Sequence, residues 1–224
     1  MSKLVVCFDL DDTLYKEIDF LKSGYRKVSE LVEKQFHYDA QRVYENLLSW
    51  YFQKENPFVL LNESYELNYP IEDYLNLYRF HQPSINLSNG VENTLNELKR
   101  RGFKLGLITD GRTTSQKNKI HALNLDCWFE EKDIIISEEF GYEKTNEKNF
   151  RYFMDLYPGC KYFYVGDNPS KDFVVPNSLN WVSIMLEDDG RNIHKQRTVS
   201  EVERHFYKIK GFNELINTIE RVIK

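Results

Sequence analysis

Cysteine, proline and glycine are all scarce in this sequence, with 3, 6 and 10 among 224 residues. Cys7, Cys127 and Cys160 are odd in number, far apart and never in a CxxC pair. That pattern argues against both a zinc site and a disulfide framework. Cys7 lies inside an apolar run and Cys160 borders another, so each reads as a small buried thiol in a reducing compartment. No run approaches the ~18 apolar residues of a membrane span, and the N-terminal run is too short for a signal peptide. The expectation is a soluble, cytoplasmic protein with no membrane partner. A formal net charge of -5 lacks the concentrated basic surface that a nucleic-acid backbone needs, so no nucleic-acid partner is expected. What remains is an ordinary polar globular composition, 41% hydrophobic and 29% charged, with 15 Tyr and 15 Phe. The length suffices for one core plus an insert.

Glycine scarcity also divides the chain. Between residues 15 and 88 the only glycine is Gly24. Leu21, Tyr25, Val28, Val32 and Phe36 recur at three- and four-residue steps, the period of a helix face. Val43, Leu47, Leu48, Trp50 and Tyr51 form a second such set, and Tyr74, Leu75 and Tyr78 a third. Pro57, Pro70 and Pro83 punctuate them as helix boundaries. The spacing predicts a helical insert over residues 15–88, with α/β texture on either side, over 1–14 and 89–224.

In the flanking parts, short apolar runs alternate with helical patterns. Strands are expected at Val5–Phe8, Phe103–Ile108, Ile134–Ser137, Tyr162–Val165 and Trp181–Met185. Helices are expected near 89–101 (capped by Ser88 or Asn89), 115–123, 146–156, 170–175 and 212–222. The charged stretch 187–206 carries no clear pattern. Alternation of this kind predicts a Rossmann-like parallel sheet with helices on both faces.

Three of the strand-like runs end in polar clusters: Asp9-Leu10-Asp11-Asp12-Thr13, Thr109-Asp110-Gly111 and Gly166-Asp167. Parallel strands place their carboxyl ends on one edge, where ligands of open α/β sheets collect. Like charges gathered there are most easily explained by a divalent cation that offsets their repulsion. Asp9 and Asp11, two apart, fall on the same side of an extended chain, whereas Asp12 points away and is expected to cap the turn.

These residues, in this order, resemble the haloacid dehalogenase superfamily. Asp9-Leu10-Asp11-Asp12-Thr13 resembles its first motif and Ile108-Thr109-Asp110-Gly111 its second. Lys144 sits where the third motif places a lysine, although Thr145 follows where proline is common. Val165-Gly166-Asp167-Asn168-Pro169-Ser170-Lys171-Asp172 is similar to the fourth. An insert just after the first motif resembles the helical cap of the superfamily's first subclass.

The resemblance implies a Mg²⁺-dependent hydrolase of a small phosphorylated metabolite, a sugar phosphate or nucleoside monophosphate; the sequence permits a monomer or a homodimer and does not choose between them. It implies Asp9 as nucleophile, Asp11 as general acid/base, and Thr109, Asp110, Gly111 and Lys144 around the phosphate. It implies Asp9, the Asp11 backbone carbonyl and Asp167 as Mg²⁺ ligands, with Asp172 beside or on the metal. Splitting a slow hydrolysis through an aspartyl-phosphate suits such a pair. Asp11 is then expected to have the higher pKa of the two, since Lys144 and the metal favour ionised Asp9. An acid two residues after the nucleophile favours phosphoryl transfer over dehalogenation. A phosphomutase and a catalytically silent binding module are the alternatives. Phe20, Lys22, Tyr25, Arg26 and Trp50 of the insert are candidates to meet the substrate.

Overall fold

The computed structural model describes residues 4–196 and 206–223. Contacts divide the chain into two compact units, one of residues 1–17 and 86–224, the other Ile18–Ile85.

The first unit is built on one parallel sheet of six strands: β1 (Leu4–Phe8), β2 (Lys104–Thr109), β3 (Ile134–Ile136), β4 (Lys161–Gly166), β5 (Val182–Leu186) and β6 (Phe206–Ile209). Their spatial order is β3-β2-β1-β4-β5-β6. The strand that opens the chain is therefore central, flanked by β2 and β4 in parallel register. Residues 5 to 8 of β1 are fully buried, which is why the run is apolar on both faces rather than alternating. One face packs Val5 and Cys7 with Ile108, Phe150, Phe153 and Tyr164. Toward the other, Phe8 meets the rings of Phe129 and Phe212 at 6.2 and 6.1 Å. The order of connections reverses at β1, and that reversal opens a crevice at the carboxyl edge.

Helices in this unit follow ordinary end chemistry. The helix Asn89–Arg100 begins at Ser88, whose hydroxyl accepts from the Val91 N–H. The segment expected as one helix near 170–175 is two short ones, Pro169–Asp172 and Val174–Ser178. Part of the unplaced stretch 187–206 lies outside the described residues; 188–196 runs without regular structure, and Phe206 begins β6.

The second unit holds most of the long helix Glu17–Phe36 with helices Ala40–Phe52, Pro57–Ser64 and Ile71–Phe80. Its interior is aromatic: Tyr25 touches Tyr51, Phe58 and Tyr78, and Phe58 stacks on Tyr74 at 5.6 Å. Phe20 and Tyr25, expected as substrate contacts, are buried in this packing, and Arg26 lies over the Tyr44 ring. Ser23 ties the unit's ends, its Oγ accepting from Ser84 N–H at 2.8 Å and lying 3.0 Å from His81 Nε2.

Candidate active site

The polar clusters meet where β1, β2 and β4 end. Asp9 continues the ladder, its N–H donating to Val165 carbonyl at 2.9 Å, and is 5% exposed. Lys144, from the segment before the helix Lys148–Leu156, reaches this edge with Nζ 2.7 Å from Asp9 Oδ1 and 2.8 Å from Asp172 Oδ1. The Lys144 backbone N–H donates to Asp110 Oδ1 at 2.9 Å, so the Asp110 side chain anchors the lysine. Asp172 Oδ2 in turn accepts from the Asn168 N–H at 2.8 Å. Gly166 is the glycine this geometry requires: a Cβ there would stand 2.5 Å from Asp172 Oδ2.

Asp9, Asp167 and Asp172 each offer an oxygen within 4.8 Å of the others, and all three are buried. An all-carboxylate set of this kind suits a hard divalent cation. Asp167 is held by an unforeseen residue, Asn192, whose Nδ2 donates to Oδ2 at 2.8 Å while its own Oδ1 accepts from Lys16 Nζ at 2.6 Å. Nothing in the spacing of 187–196 marked Asn192. Gln196 adds a bond from Nε2 to the Asp167 carbonyl at 2.8 Å.

The carboxyls do not share one electrostatic fate. Burial pushes Asp9 up to about 7, with Lys144 opposing and Asp172 assisting. Burial, then the charges of Asp9 and Asp172, push Asp167 up to about 9. Lys144 is held well above the usual lysine range: burial opposes its charge, but Asp172 and Asp9 outweigh it. Asp11 moves the other way. Burial would raise it, but Lys119, whose Nζ lies 2.7 and 2.9 Å from its two oxygens, and a Gln116 amide at 3.0 Å bring it below the ordinary value. Without the cation that the expectation counted beside Asp9, Asp9 stands above Asp11, the opposite of the order expected with the cation bound. The expectation counted Lys144 beside Asp9 but not Lys119 beside Asp11.

Thr109 is buried and accepts from Gln116 Nε2 at 2.7 Å. Gly111, with φ +143°, donates its N–H to Ser137 Oγ at 3.0 Å. Asp12 adopts a left-handed φ of +56° and accepts from the N–H groups of Glu17 and Ile193, each at 2.9 Å, while still lining the cleft. Thr13 donates to Asp9 Oδ2 at 3.3 Å. Asp9, Asp11, Thr109, Lys144 and Asp167 line a cleft of about 160 Å³, together with Lys171 of the fourth motif and the unanticipated Glu17 and His194.

A family model for haloacid dehalogenase-like hydrolases matches residues 6–185. The glyceraldehyde 3-phosphate phosphatase of Methanocaldococcus jannaschii is 26% identical over 236 residues, covering 98% of this chain and 98% of that one. The glyceraldehyde 3-phosphate phosphatase of Methanothermobacter thermautotrophicus is 27% identical over 93% of this chain and 92% of its own. Among solved structures, a magnesium-bound hydrolase of the same type from Bacillus subtilis superposes with TM-score 0.64 at 17% identity, covering 98% of this chain and 99% of that one. The chain belongs to the haloacid dehalogenase-like hydrolases.

Proposed function

We propose that this protein is a phosphatase that hydrolyses a small phosphomonoester through an aspartyl-phosphate on Asp9. The observation that carries the reading is Lys144, buried and bonded at once to Asp9 and Asp172 beside Asp167. A lysine so placed neutralises a nucleophilic carboxylate that must approach an anionic phosphoryl group. Mg²⁺, held by Asp9, Asp167 and the Asp11 backbone carbonyl, would offset the remaining negative charge and the charge that builds on the phosphoryl oxygens. Asp172, engaged by Lys144 and by the Asn168 N–H, serves to hold those two in place.

In the first displacement an Asp9 oxygen attacks phosphorus, the P–O ester bond breaks, and the Asp11 carboxyl, held ionised in the free site by Lys119 and Gln116 and protonated as substrate and cation fill it, gives that proton to the leaving oxygen. In the second, water attacks the phosphoryl group, gives its proton to the Asp11 carboxylate, and the P–O bond to Asp9 breaks. Asp11 ends protonated, as it began the first step. Thr109 Oγ and the Asp110 N–H donate to the phosphoryl oxygens, and Gly111 lets the loop run past them without a side chain.

The relatives support a short-chain phosphate as substrate. A cleft of about 160 Å³, lined by residues of the α/β unit, is of a size for a phosphoryl group and the atoms next to it. The two relatives above bear the name of a triose-phosphate phosphatase, which supports a substrate of that size. The helical unit 18–85 is proposed as a cap that selects the substrate.

Phosphate release should be measured across a panel of triose, pentose and hexose phosphates, nucleoside monophosphates and p-nitrophenyl phosphate, with and without Mg²⁺. The reading expects Mg²⁺-dependent release, fastest on the short phosphates, and at least about a 10⁴-fold loss in Asp9→Asn. Isomerisation of a sugar phosphate without release would instead indicate a mutase. Silence across the panel would overturn catalysis altogether.

A further inference from the structure

Lys119 and Gln116 lie outside the four motif segments, on the helix Thr113–Ala122, yet both are buried, at 4% and 2% exposure. Lysine is rarely buried in full unless it is paired. Here Nζ bridges the two oxygens of Asp11, at 2.7 and 2.9 Å. One turn earlier on the same face, Gln116 Nε2 lies 3.0 Å from Asp11 Oδ2, 2.7 Å from Thr109 Oγ1 and 2.9 Å from the Asp110 carbonyl. Tyr15 completes the set, its hydroxyl donating to Asp11 Oδ1. A short side chain with two free torsions is thereby gripped through both oxygens by three other side chains.

We propose that Lys119 and Gln116 are positioning residues that fix the Asp11 carboxyl in register with the phosphoryl group. The proposal rests on the aspartyl-phosphate reading above. Lys119 sets the plane of the carboxyl by bonding both oxygens. Gln116 couples that plane to the β2 end, because one amide nitrogen contacts Asp11, the phosphate-facing Thr109 and the Asp110 backbone. A donor on Thr109 Oγ also leaves the threonine proton to point at a phosphoryl oxygen. Fixing a proton-transfer group within the reacting geometry removes an ordering cost from the barrier, and a misplacement of about 1 Å costs on the order of 100-fold. Tertiary contact makes this pair, since the helix shows no apolar stripe that would bury these positions for packing alone.

The proton bookkeeping gives a signature that loss of folded protein does not share. p-Nitrophenolate leaves without needing a proton, so formation of the aspartyl-phosphate from p-nitrophenyl phosphate is indifferent to Asp11. Hydrolysis of that intermediate still needs Asp11 as base. An alkyl ester such as glycerol phosphate needs Asp11 in both steps.

The experiment is steady-state and stopped-flow kinetics of wild type, Lys119→Met, Gln116→Leu and Lys119→Arg on both esters with Mg²⁺, with thermal midpoints recorded for each. The proposal expects Lys119→Met and Gln116→Leu to lower kcat on p-nitrophenyl phosphate by about 10- to 100-fold. KM falls with it, kcat/KM is unchanged, and a burst of p-nitrophenolate appears. On glycerol phosphate kcat/KM itself falls by a similar factor. Lys119→Arg recovers most of the loss, because the guanidinium still reaches both oxygens.

Equal losses on the two esters with KM unchanged would overturn the proposal in favour of a purely structural role, as would full activity in both truncations. If Lys119→Met does not fold, Gln116→Leu decides on the same criteria. Failure of the underlying reading looks different: wild type would release no phosphate from either ester, or Asp9→Asn would remain active.

Discussion

The two units bury opposite kinds of side chain. At the carboxyl edge of the sheet the α/β unit hides Asp9, Lys119, Lys144, Asp167 and Asp172, charges that gain nothing from burial alone. The helical unit hides Phe20, Tyr25, Phe58 and Tyr74, and its buried polar residues are only Ser23, Ser29 and His81. One interior is arranged for stability, the other tolerates costly groups because they hold each other in place. The difference is what the proposed function rests on in assigning chemistry to the first unit and substrate selection to the second.

The contrast is broken most strongly at Lys144. Lys144→Met should leave Asp9 and Asp172 facing one another without a cation, which costs about 3–5 kcal/mol of stability by the usual penalty for breaking a buried pair. Turnover should fall by at least about 10³-fold, since the nucleophile loses its neutralising partner. Urea unfolding and phosphate release check the two effects. A stable variant would mean that the cluster does not depend on this lysine.

In the helical unit, Phe58→Ala should cost about 3–5 kcal/mol through the cavity left beside Tyr25 and Tyr74. Its kcat/KM on p-nitrophenyl phosphate at low temperature should stay within about threefold of wild type. A large loss of that activity in still-folded protein would erase the division between a chemical and a packed interior.

A third effect distinguishes the units through pH. Asp9 and Asp167 titrate in the fold at about 7 and about 9, above the 3.8 of an ordinary aspartate, so the native state keeps protons that the unfolded chain releases. Their contribution to stability is therefore full below about pH 4 and is lost as pH rises through 7 and then 9. In chelator the thermal midpoint should fall between about pH 5 and 9, and the rise produced by Mg²⁺ should grow over the same window. A Mg²⁺ effect independent of pH would contradict the buried carboxylate cluster as the cation site. The smallest effect belongs to Ser23→Ala, which removes the acceptor of the Ser84 N–H and should cost about 1–3 kcal/mol. A cost near zero would show that water replaces the hydroxyl.

Much of the α/β architecture was legible because its strands are short apolar runs, buried on both faces and ended by polar residues. The strand Phe206–Ile209 was not, since only Ile209 of its four residues is buried and its surroundings are charged. Asp9 and Asp167 could be singled out because strand ends mark them, and Lys144 only through the resemblance to the superfamily; the structure brings the three together. Gln116, Lys119 and Asn192 could not. Each is a polar residue whose place is decided by a partner distant in the chain, Asp11 for the buried Gln116 and Lys119 and Asp167 for the half-buried Asn192. Local pattern reads such residues as solvated. For the same reason the pull of Lys119 on Asp11, which puts Asp11 below Asp9 in the absence of a cation, was not legible in the sequence.

Asp9 is the residue proposed to carry the phosphoryl group. The direct test is to quench the enzyme during turnover of a triose phosphate with Mg²⁺, reduce it with borohydride, and map the peptides by mass spectrometry. An acyl phosphate on Asp9 would be reduced to homoserine at position 9, dependent on substrate and absent in Asp9→Asn. Conversion at another carboxylate, or turnover without any conversion at Asp9, would contradict it.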